Sequence, residues 1–196
     1  MIVTLINHVR CYLTRINNAH LSSFLSHWPE PGSVTRSSIK STLPVLKWLP
    51  DTVKVSAPRE VMVIKQLTIV ASDLAWGQTY SSEDFGYKFL ERYGWTELVG
   101  NRGIIYSNRI ACGFLLLGPE IEYPPHRHEA EEAYIPLSGP TQWKYNNNGW
   151  VSRKAGVPVF HEPWMPHAIK TDAVPLLAIY LWRGGDLTQK SLIDQT

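Results

Sequence analysis

The spacing of apolar residues near the start of the chain follows the period of a helix. Six apolar residues between Met1 and Leu25 form one stripe: Ile2, Leu5, Ile6, Val9, Leu13 and Ile16. This stripe predicts an amphipathic helix that packs on the rest of the domain, with a helix on a membrane surface as the alternative. The polar residues Asn7, His8 and Arg10 interrupt the segment, so it lacks the continuous apolar core of a signal peptide.

The remainder of the first half also favours helices over strands. The segment 61–70 is apolar and fits either a helix or a strand. Ser81, followed closely by Glu83 and Asp84, predicts the start of a helix that ends at Gly94. We therefore predict a mostly helical N-terminal region over residues 1–100 that packs on a second region.

The second half consists of short apolar runs separated by Gly, Pro or Asn. These runs predict strands over 103–106, 111–117, 132–137, 142–145, 157–160 and 176–182. Asn147, Asn148 and Gly149 lie between two such runs and predict a hairpin turn. Many short strands with regular turns are typical of a β-sandwich or barrel. We therefore predict a mainly β fold, with the barrel over residues 101–190.

Composition and charge exclude several classes of protein. The 196 residues suffice for one domain, and 44% are apolar while 18% are charged, which is typical of a globular chain. The net charge of +2 and the absence of long basic runs predict no nucleic-acid partner, and no apolar run is long enough to cross a membrane. Two cysteines are too few for a disulfide framework. Without a targeting signal, we expect a cytoplasmic protein.

Three histidines and one glutamate have the spacing of metal ligands. His126 and His128 share a face if they lie on a strand, Glu132 follows at the start of the next strand, and His167 comes later. Three imidazoles and one carboxylate suit a divalent transition metal such as zinc, iron or manganese. The sequence therefore predicts one metal ion bound by His126, His128, Glu132 and His167.

A fourth histidine in this region, His161, is predicted not to bind the metal. It lies six residues before His167 and would share its face only in a straight strand. Pro163 and Pro166 interrupt such a strand. The histidines of the helical region receive no role.

These residues resemble the first motif of the cupin family, Gly118-x7-His126-x-His128-x3-Glu132-x6-Gly139. The second cupin motif is looser: Gly156, Pro163 and His167 are present, its second glycine is missing, and Thr171 stands where asparagine is common. The resemblance implies a single-domain cupin, which is a jelly-roll barrel (double-stranded β-helix), with a helical N-terminal extension.

A narrower resemblance involves the aromatic residues around this motif. The sequence from Tyr123 to Gly139, which places a tyrosine at 134, is similar to the cupin-type dimethylsulfoniopropionate (DMSP) lyases, in particular the DddQ-like members. The segments 76–80 and 93–97 share that similarity. The resemblance implies a metal-dependent lyase that releases dimethyl sulfide and acrylate from a small sulfonium substrate.

The resemblance also implies roles for four aromatic residues. Tyr134, which shares the face of Glu132, is the candidate general base, and Tyr123 is the alternative base. Trp182 and Tyr80 are the candidates for holding the sulfonium cation on their ring faces.

Other functions are compatible with the same four ligands. The alternatives are another metal-dependent cupin enzyme, such as an iron dioxygenase, or a cupin that binds a small molecule without catalysis. The oligomeric state is expected to be a monomer or a homodimer.

Overall fold

The helices lie in the first half of the chain, as the apolar spacing predicts. The computed structural model describes residues 1–30, 32–33 and 35–194. The α-helices of that part are α1 (Ile2–Thr14), α2 (Ala19–Leu25), α3 (Leu49–Thr52), α4 (Pro58–Val70) and α5 (Ser82–Leu90). In the described residues, no helix combines the length and the apolar character that crossing a membrane requires.

Local sequence explains where these helices begin and end. The buried side of α1 is the predicted stripe, including Leu5, Ile6 and Val9, and α1 packs along α4. The ambiguous segment 61–70 belongs to α4, which begins with Pro58 at a position where a missing N–H costs nothing. Helix α5 has the predicted start at Ser81, where the Asp84 carboxylate accepts the Ser81 backbone N–H.

One predicted helix boundary is wrong. Helix α5 ends at Leu90, and Gly94 belongs to the strand that follows. A Cβ atom at Gly94 would lie 2.9 Å from Leu43 and 3.0 Å from Val45. The glycine therefore permits close packing of a strand and does not end a helix.

The second half forms two antiparallel sheets. The strands are β1 (Trp76–Gly77), β2 (Tyr93–Val99), β3 (Ile110–Leu117), β4 (Glu122–Arg127), β5 (Glu131–Pro136), β6 (Thr141–Tyr145), β7 (Val151–Arg153), β8 (Val159–His161), β9 (His167–Lys170), β10 (Leu176–Arg183) and β11 (Leu192–Ile193). The first sheet has the order β1-β2-β3-β10-β5-β8, and the second has the order β11-β4-β9-β6-β7.

The strand order confirms the predicted fold class. The eight strands from β3 to β10 divide equally between the two sheets. The first sheet contains them in the order β3-β10-β5-β8, and the second in the order β4-β9-β6-β7. This arrangement is the double Greek key of a jelly roll. The predicted hairpin is present, because β6 and β7 pair on either side of residues 146–150. The run 103–106 is not a strand of either sheet, since Ile105 makes only isolated bridges within the described chain.

The first hundred residues contribute two strands to the first sheet in addition to the helices. Both β1 and β2 lie before residue 100, and β2 pairs with β3 along most of its length. The first sheet is therefore extended by strands from the region predicted as mostly helical.

The first sheet is buried on both faces, and the two faces have different compositions. Its outer face packs against α1, α2 and α4 and is aliphatic, with members such as Ile135, Leu177 and Ile179. Its inner face lines the barrel and carries aromatic residues such as Tyr134 and Tyr180. Burial of both faces explains why β3 and β10 read as continuous apolar runs in the sequence.

Candidate metal centre

The predicted ligands come from adjoining elements inside the barrel. His126 lies on β4, His128 follows that strand, Glu132 lies on β5 and His167 begins β9. Strands β4 and β9 pair so that His126 faces His167. All four side chains are buried. The jelly roll thus places residues that are distant in sequence at one position in the barrel.

Each of the three histidines is oriented by a nearby backbone carbonyl. The Nδ1 atoms of His126, His128 and His167 lie 2.8, 2.9 and 2.8 Å from the carbonyl oxygens of Pro124, Ala130 and Met165. A carbonyl partner fixes Nδ1 as the protonated nitrogen, which leaves Nε2 with its lone pair. This is the tautomer that a histidine ligand of a metal adopts.

Three of the four predicted ligands have donor atoms that converge. The Nε2 atoms of His128 and His167 both lie 3.1 Å from Oε2 of Glu132, and the donor atoms of the three residues lie within 4.8 Å of one another. The contact between His167 and Glu132 is not a hydrogen bond, so within the described part of the chain Nε2 of His167 is buried without a hydrogen-bond partner. Two imidazole nitrogens and a carboxylate oxygen in this arrangement fit a divalent transition metal.

The charge of Glu132 is stabilised despite complete burial. Burial alone would raise its pKa, but the positive charges that His128 and His167 carry when they are protonated hold the pKa of Glu132 well below its ordinary value. An ionised carboxylate is the form that binds a metal ion. The carboxylate is therefore ready to act as a ligand.

His126 lies beside the converging group rather than within it. Its ring is 4.2 Å from the His167 ring and 6.4 Å from the His128 ring, and it stacks on Tyr123. Burial, with His167 next in effect, lowers the pKa of His126 well below its usual value, so the ring is neutral. Its assignment as a fourth ligand stays a prediction.

His161 stacks in parallel on His167, with 3.9 Å between ring centroids and 12° between planes. It pairs with Glu132 across strands β8 and β5. Among the described residues, neither of its ring nitrogens has a hydrogen-bond partner. Burial lowers the pKa of His161 as well, so a second neutral imidazole supports the His167 ring.

The two candidate bases stand on different strands at the inner wall. Tyr134 lies on β5, two residues after Glu132, and Tyr123 lies on β4. Burial, followed by the negative charge of Glu132, raises the pKa of Tyr134 well above its ordinary value. Burial and the neighbouring tyrosines raise the pKa of Tyr123 in the same direction. Without an added positive charge, both phenols stay protonated.

Trp182 makes a contact that the sequence did not reveal. Its indole Nε1 donates to Oε1 of Glu132 at 2.5 Å, and its ring lies 4.1 Å from the His128 ring. The register of β10 and β5 places Trp182 directly opposite Glu132. Trp182 therefore orients the carboxylate as well as lining the cavity.

Tyr80 lies one layer behind the cavity wall. Its hydroxyl is 3.2 Å from the Tyr123 hydroxyl, and Nζ of Lys190 already faces its ring at 5.2 Å. The predicted role of Tyr80 in cation binding stays a prediction.

A cavity of about 260 Å³ adjoins the converging group. Its wall comes largely from the inner face of the first sheet and includes Tyr93, Trp95, Glu97, Glu132, Tyr134 and Trp182. The volume suits a ligand smaller than a typical drug molecule.

The wall also contains a second carboxylate that was absent from the sequence-based candidates. Glu97 is buried beside Arg102, and burial raises its pKa although Arg102 acts in the opposite direction. In the sequence, Glu97 is one acidic residue in an apolar run, and only the pairing of β2 with β3 shows that it faces the cavity.

Comparisons with known proteins identify dimethylsulfoniopropionate lyases as relatives of this chain. The family model for dimethylsulfoniopropionate lyase matches residues 19–178. The dimethylsulfoniopropionate lyase DddQ of Ruegeria pomeroyi is 32% identical over 122 residues, which cover 62% of this chain and 61% of that protein. The matched segment is thus less than two thirds of the relative's length.

Solved structures extend the similarity of fold over nearly the whole chain. A structure from a study of the DMSP lyases RdDddP and RnDddQII has a TM-score of 0.89 at 24% identity and covers 99% of this chain and 97% of its own. The crystal structure of DddQ from Ruegeria pomeroyi has a TM-score of 0.87 at 22% identity, covering 98% and 95%. The helical N-terminal region is therefore part of the shared fold.

Proposed function

The chain belongs to the dimethylsulfoniopropionate lyase family, and from this premise we propose that it cleaves DMSP into dimethyl sulfide and acrylate with the help of a bound metal ion. The observation that carries the proposal is the converging group of His128, Glu132 and His167 beside a small cavity that Tyr134 lines. The ligand set would hold the metal ion, and the tyrosine would supply a base.

The proposed reaction is a β-elimination. A base removes a proton from the carbon next to the carboxylate, and the electron pair of that C–H bond forms the double bond of acrylate. The bond between carbon and sulfur breaks, and its electrons stay on sulfur, so dimethyl sulfide leaves as a neutral molecule. The leaving group needs no acid, and the weakly acidic C–H bond is the main difficulty.

The metal ligands proposed for this reaction are His128, Glu132 and His167, with His126 as a fourth. A divalent metal in this group supplies Lewis-acid stabilisation of the negative charge that develops on the substrate carboxylate, and favours the phenolate of a neighbouring tyrosine. The carbonyl partners of the histidines and the indole of Trp182 hold the ligand atoms in place.

Tyr134 is the proposed general base, with Tyr123 as the alternative. Tyr134 lines the cavity on the same face of β5 as Glu132, so its side chain faces the cavity in which the substrate would bind. The proton taken from carbon would end on that oxygen. Tyr123 also lines the cavity, and its ring stacks on His126.

The test is release of dimethyl sulfide into the headspace when DMSP is added to purified protein. We expect release that a chelator abolishes and that a divalent metal restores. Consumption of oxygen with an iron-loaded protein would instead favour a dioxygenase. Recovery of intact DMSP after long incubation with metal-loaded protein would favour a binding protein without this activity.

A further inference from the structure

A second polar pair lies on the outer face of the first sheet, next in sequence to Glu132 and Trp182. Strands β5 and β10 pair so that Glu132 stands opposite Trp182 and, one position along, Glu131 stands opposite Arg183. In both pairs the β10 residue donates to the carboxylate: Trp182 Nε1 to Glu132 at 2.5 Å, and Arg183 Nε to Oε2 of Glu131 at 2.6 Å. Because side chains alternate along a strand, the first pair faces the barrel interior and the second faces the helices.

The outer pair lies at the end of this strand pairing. Strand β5 begins at Glu131, and β10 ends at Arg183. Gly184 and Gly185 follow with φ angles of +69° and +60°, so the chain leaves the sheet at this point. The ends of paired strands open more readily than their centres. The position that holds Glu132 is therefore one residue from an end that the bond between Arg183 and Glu131 keeps closed.

Helix α2 contacts both members of the outer pair. Arg183 Nη1 donates to Ser23 Oγ at 2.7 Å, and the Arg183 guanidinium lies over the Phe24 ring at 4.3 Å. His20 Nε2 lies 2.5 Å from Oε1 of Glu131. The side chains of Arg183 and Glu131 are each only 21% exposed. Two directed hydrogen bonds and an aromatic contact give this arginine a fixed geometry that an exposed ion pair lacks.

The same helix reaches a third strand of the site through Phe160. His20 stacks on Phe160 with 4.3 Å between ring centroids and 16° between ring planes. Phe160 precedes His161 on β8, and His161 stacks on the ligand His167. Helix α2 therefore contacts outward-facing sequence neighbours of site residues on three adjacent strands, β10, β5 and β8.

We propose that Arg183 and Glu131, held by α2, are positioning residues that fix the Glu132 carboxylate and the Trp182 indole at the metal centre. The proposal rests on the proposed metal site and gives the helical N-terminal region a part in its function. Neither Arg183 nor Glu131 belongs to the cavity wall, so each acts through its neighbour on the strand. A ligand must be held to within about 0.5 Å, and partners that orient ligands change metal affinity by about 10- to 100-fold.

The variant that tests the proposal is Arg183→Met, which removes both hydrogen bonds but keeps an unbranched stem over Phe24. Titration of Zn²⁺ against a chromophoric chelator measures the Kd, which we expect to rise about tenfold. The visible absorption of bound Co²⁺, which reports the geometry of the ligands, should change as well. Lys40→Met is the matched control, because it removes an ion pair with Asp73 in the helical region and should leave both quantities unchanged.

Further variants separate positioning from simple packing. Glu131→Gln keeps the size of the side chain and an accepting oxygen but loses the charge, so zinc affinity should fall by less than in Arg183→Met. Arg183→Lys keeps the charge without the planar fork and should restore part of the affinity. The double variant His20→Ala/Ser23→Ala breaks the polar contacts from α2 and should have an affinity between those of wild type and Arg183→Met.

Two results would overturn the proposal. The first is an unchanged zinc Kd and Co²⁺ spectrum in folded Arg183→Met and Glu131→Gln, with only a lower melting temperature. The second is equal loss of zinc affinity in Lys40→Met, which would attribute the effect to general destabilisation.

The metal measurements need no turnover, so the two proposals can fail separately. A wild-type protein that binds Zn²⁺ more tightly than Arg183→Met but releases no dimethyl sulfide would refute the lyase function and support the positioning role. A wild-type protein that binds no divalent metal would refute both.

Discussion

The two faces of the first sheet differ although the same strands form them. On β10, Ile179 and Leu181 point outward into the aliphatic core beneath the helices, whereas Tyr180 and Trp182 point inward. On β5, Ile135 points outward between the inward Tyr134 and Pro136. Neighbouring residues on one strand therefore have different roles, because one packs beneath the helices and the next faces the inside of the barrel.

The comparison shows how buried polar groups can be tolerated in a stable barrel. The outer face removes apolar surface from water by packing aliphatic side chains beneath the helices, and this burial favours the folded state. The inner face buries Glu132 and Glu97, which is unfavourable unless each carboxylate has partners. Glu132 has two histidines and the Trp182 indole, and Glu97 has Arg102.

The largest effect on the inner face is expected from loss of a metal ligand. His128→Ala and His167→Ala each remove a nitrogen from the converging group, so bound metal and lyase activity should fall together. Loss of Lewis-acid stabilisation is worth several kcal/mol, or roughly a thousandfold in rate. Elemental analysis of the purified variants measures the metal, and full occupancy in folded His128→Ala would refute its assignment as a ligand.

Tyr134→Phe separates catalysis from binding on the same face. The ring stays in place and the hydroxyl oxygen is lost, so kcat should fall about 10²- to 10⁴-fold while metal content changes little. Single-turnover kinetics and elemental analysis together measure both quantities. Tyr123→Phe is the control and should be less damaging. The reverse order of the two variants would assign the base to Tyr123.

Ile135→Ala is the matched substitution on the outer face, one residue from Tyr134. Ile135 is fully buried and packs in the aliphatic core, so we expect a loss of about 2–5 kcal/mol in the free energy of unfolding. Below the melting transition, the KM for DMSP should stay unchanged. A shift in KM comparable to that of an inner-face variant would show that the two faces are not independent.

Substitutions of Trp182 test whether this inner-face residue both orients Glu132 and contributes to substrate binding. Trp182→Ala should raise the KM for DMSP by about 2- to 30-fold if the ring contributes a cation–π contact. Trp182→Phe keeps an aromatic face but loses the indole N–H that donates to Glu132. The affinity for the metal ion should therefore fall by a larger factor than the KM for DMSP rises. An uncharged thioether analogue that loses affinity equally in Trp182→Ala would argue against the cation–π contribution.

The smallest effect concerns the pH dependence of stability at Glu97. The pKa of Glu97 is raised in the folded protein above its ordinary value of 4.5, so the folded state binds the proton more tightly than the unfolded chain. Stability therefore decreases as pH rises from the unfolded pKa through the folded pKa. The melting temperature of the wild type, measured relative to that of Glu97→Gln, should therefore fall as pH rises across this range.

The sequence was most informative where residue spacing alone determines orientation. The alternation of Glu132 and Tyr134 places both on one face of a strand, and the part of the apolar stripe from Ile2 to Leu13 predicts one face of α1. Gly94 was misassigned because a glycine can end a helix or permit close packing of a strand, and the sequence does not distinguish these uses.

Residues whose roles depend on strand pairing could not be recognised from the sequence. Trp182 lies opposite Glu132, and Glu97 faces the cavity, only because β10 and β2 join the sheet in a particular register. The convergence of His128 with His167 likewise depends on contacts between distant segments. Spacing predicted that both would bind a metal, whereas their distances to Glu132 required the folded structure.

Strand β11 has a consequence for association between molecules. It pairs with β4 beside His126, and Asp194 donates its backbone N–H to the Pro125 carbonyl while its carboxylate contacts Arg127. This short strand covers the outer edge of the second sheet, where unpaired N–H and C=O groups would otherwise recruit a strand from another chain. A molecule shortened before Leu192 would present that edge beside His126, a proposed metal ligand, so intermolecular β-pairing would begin next to the candidate metal centre.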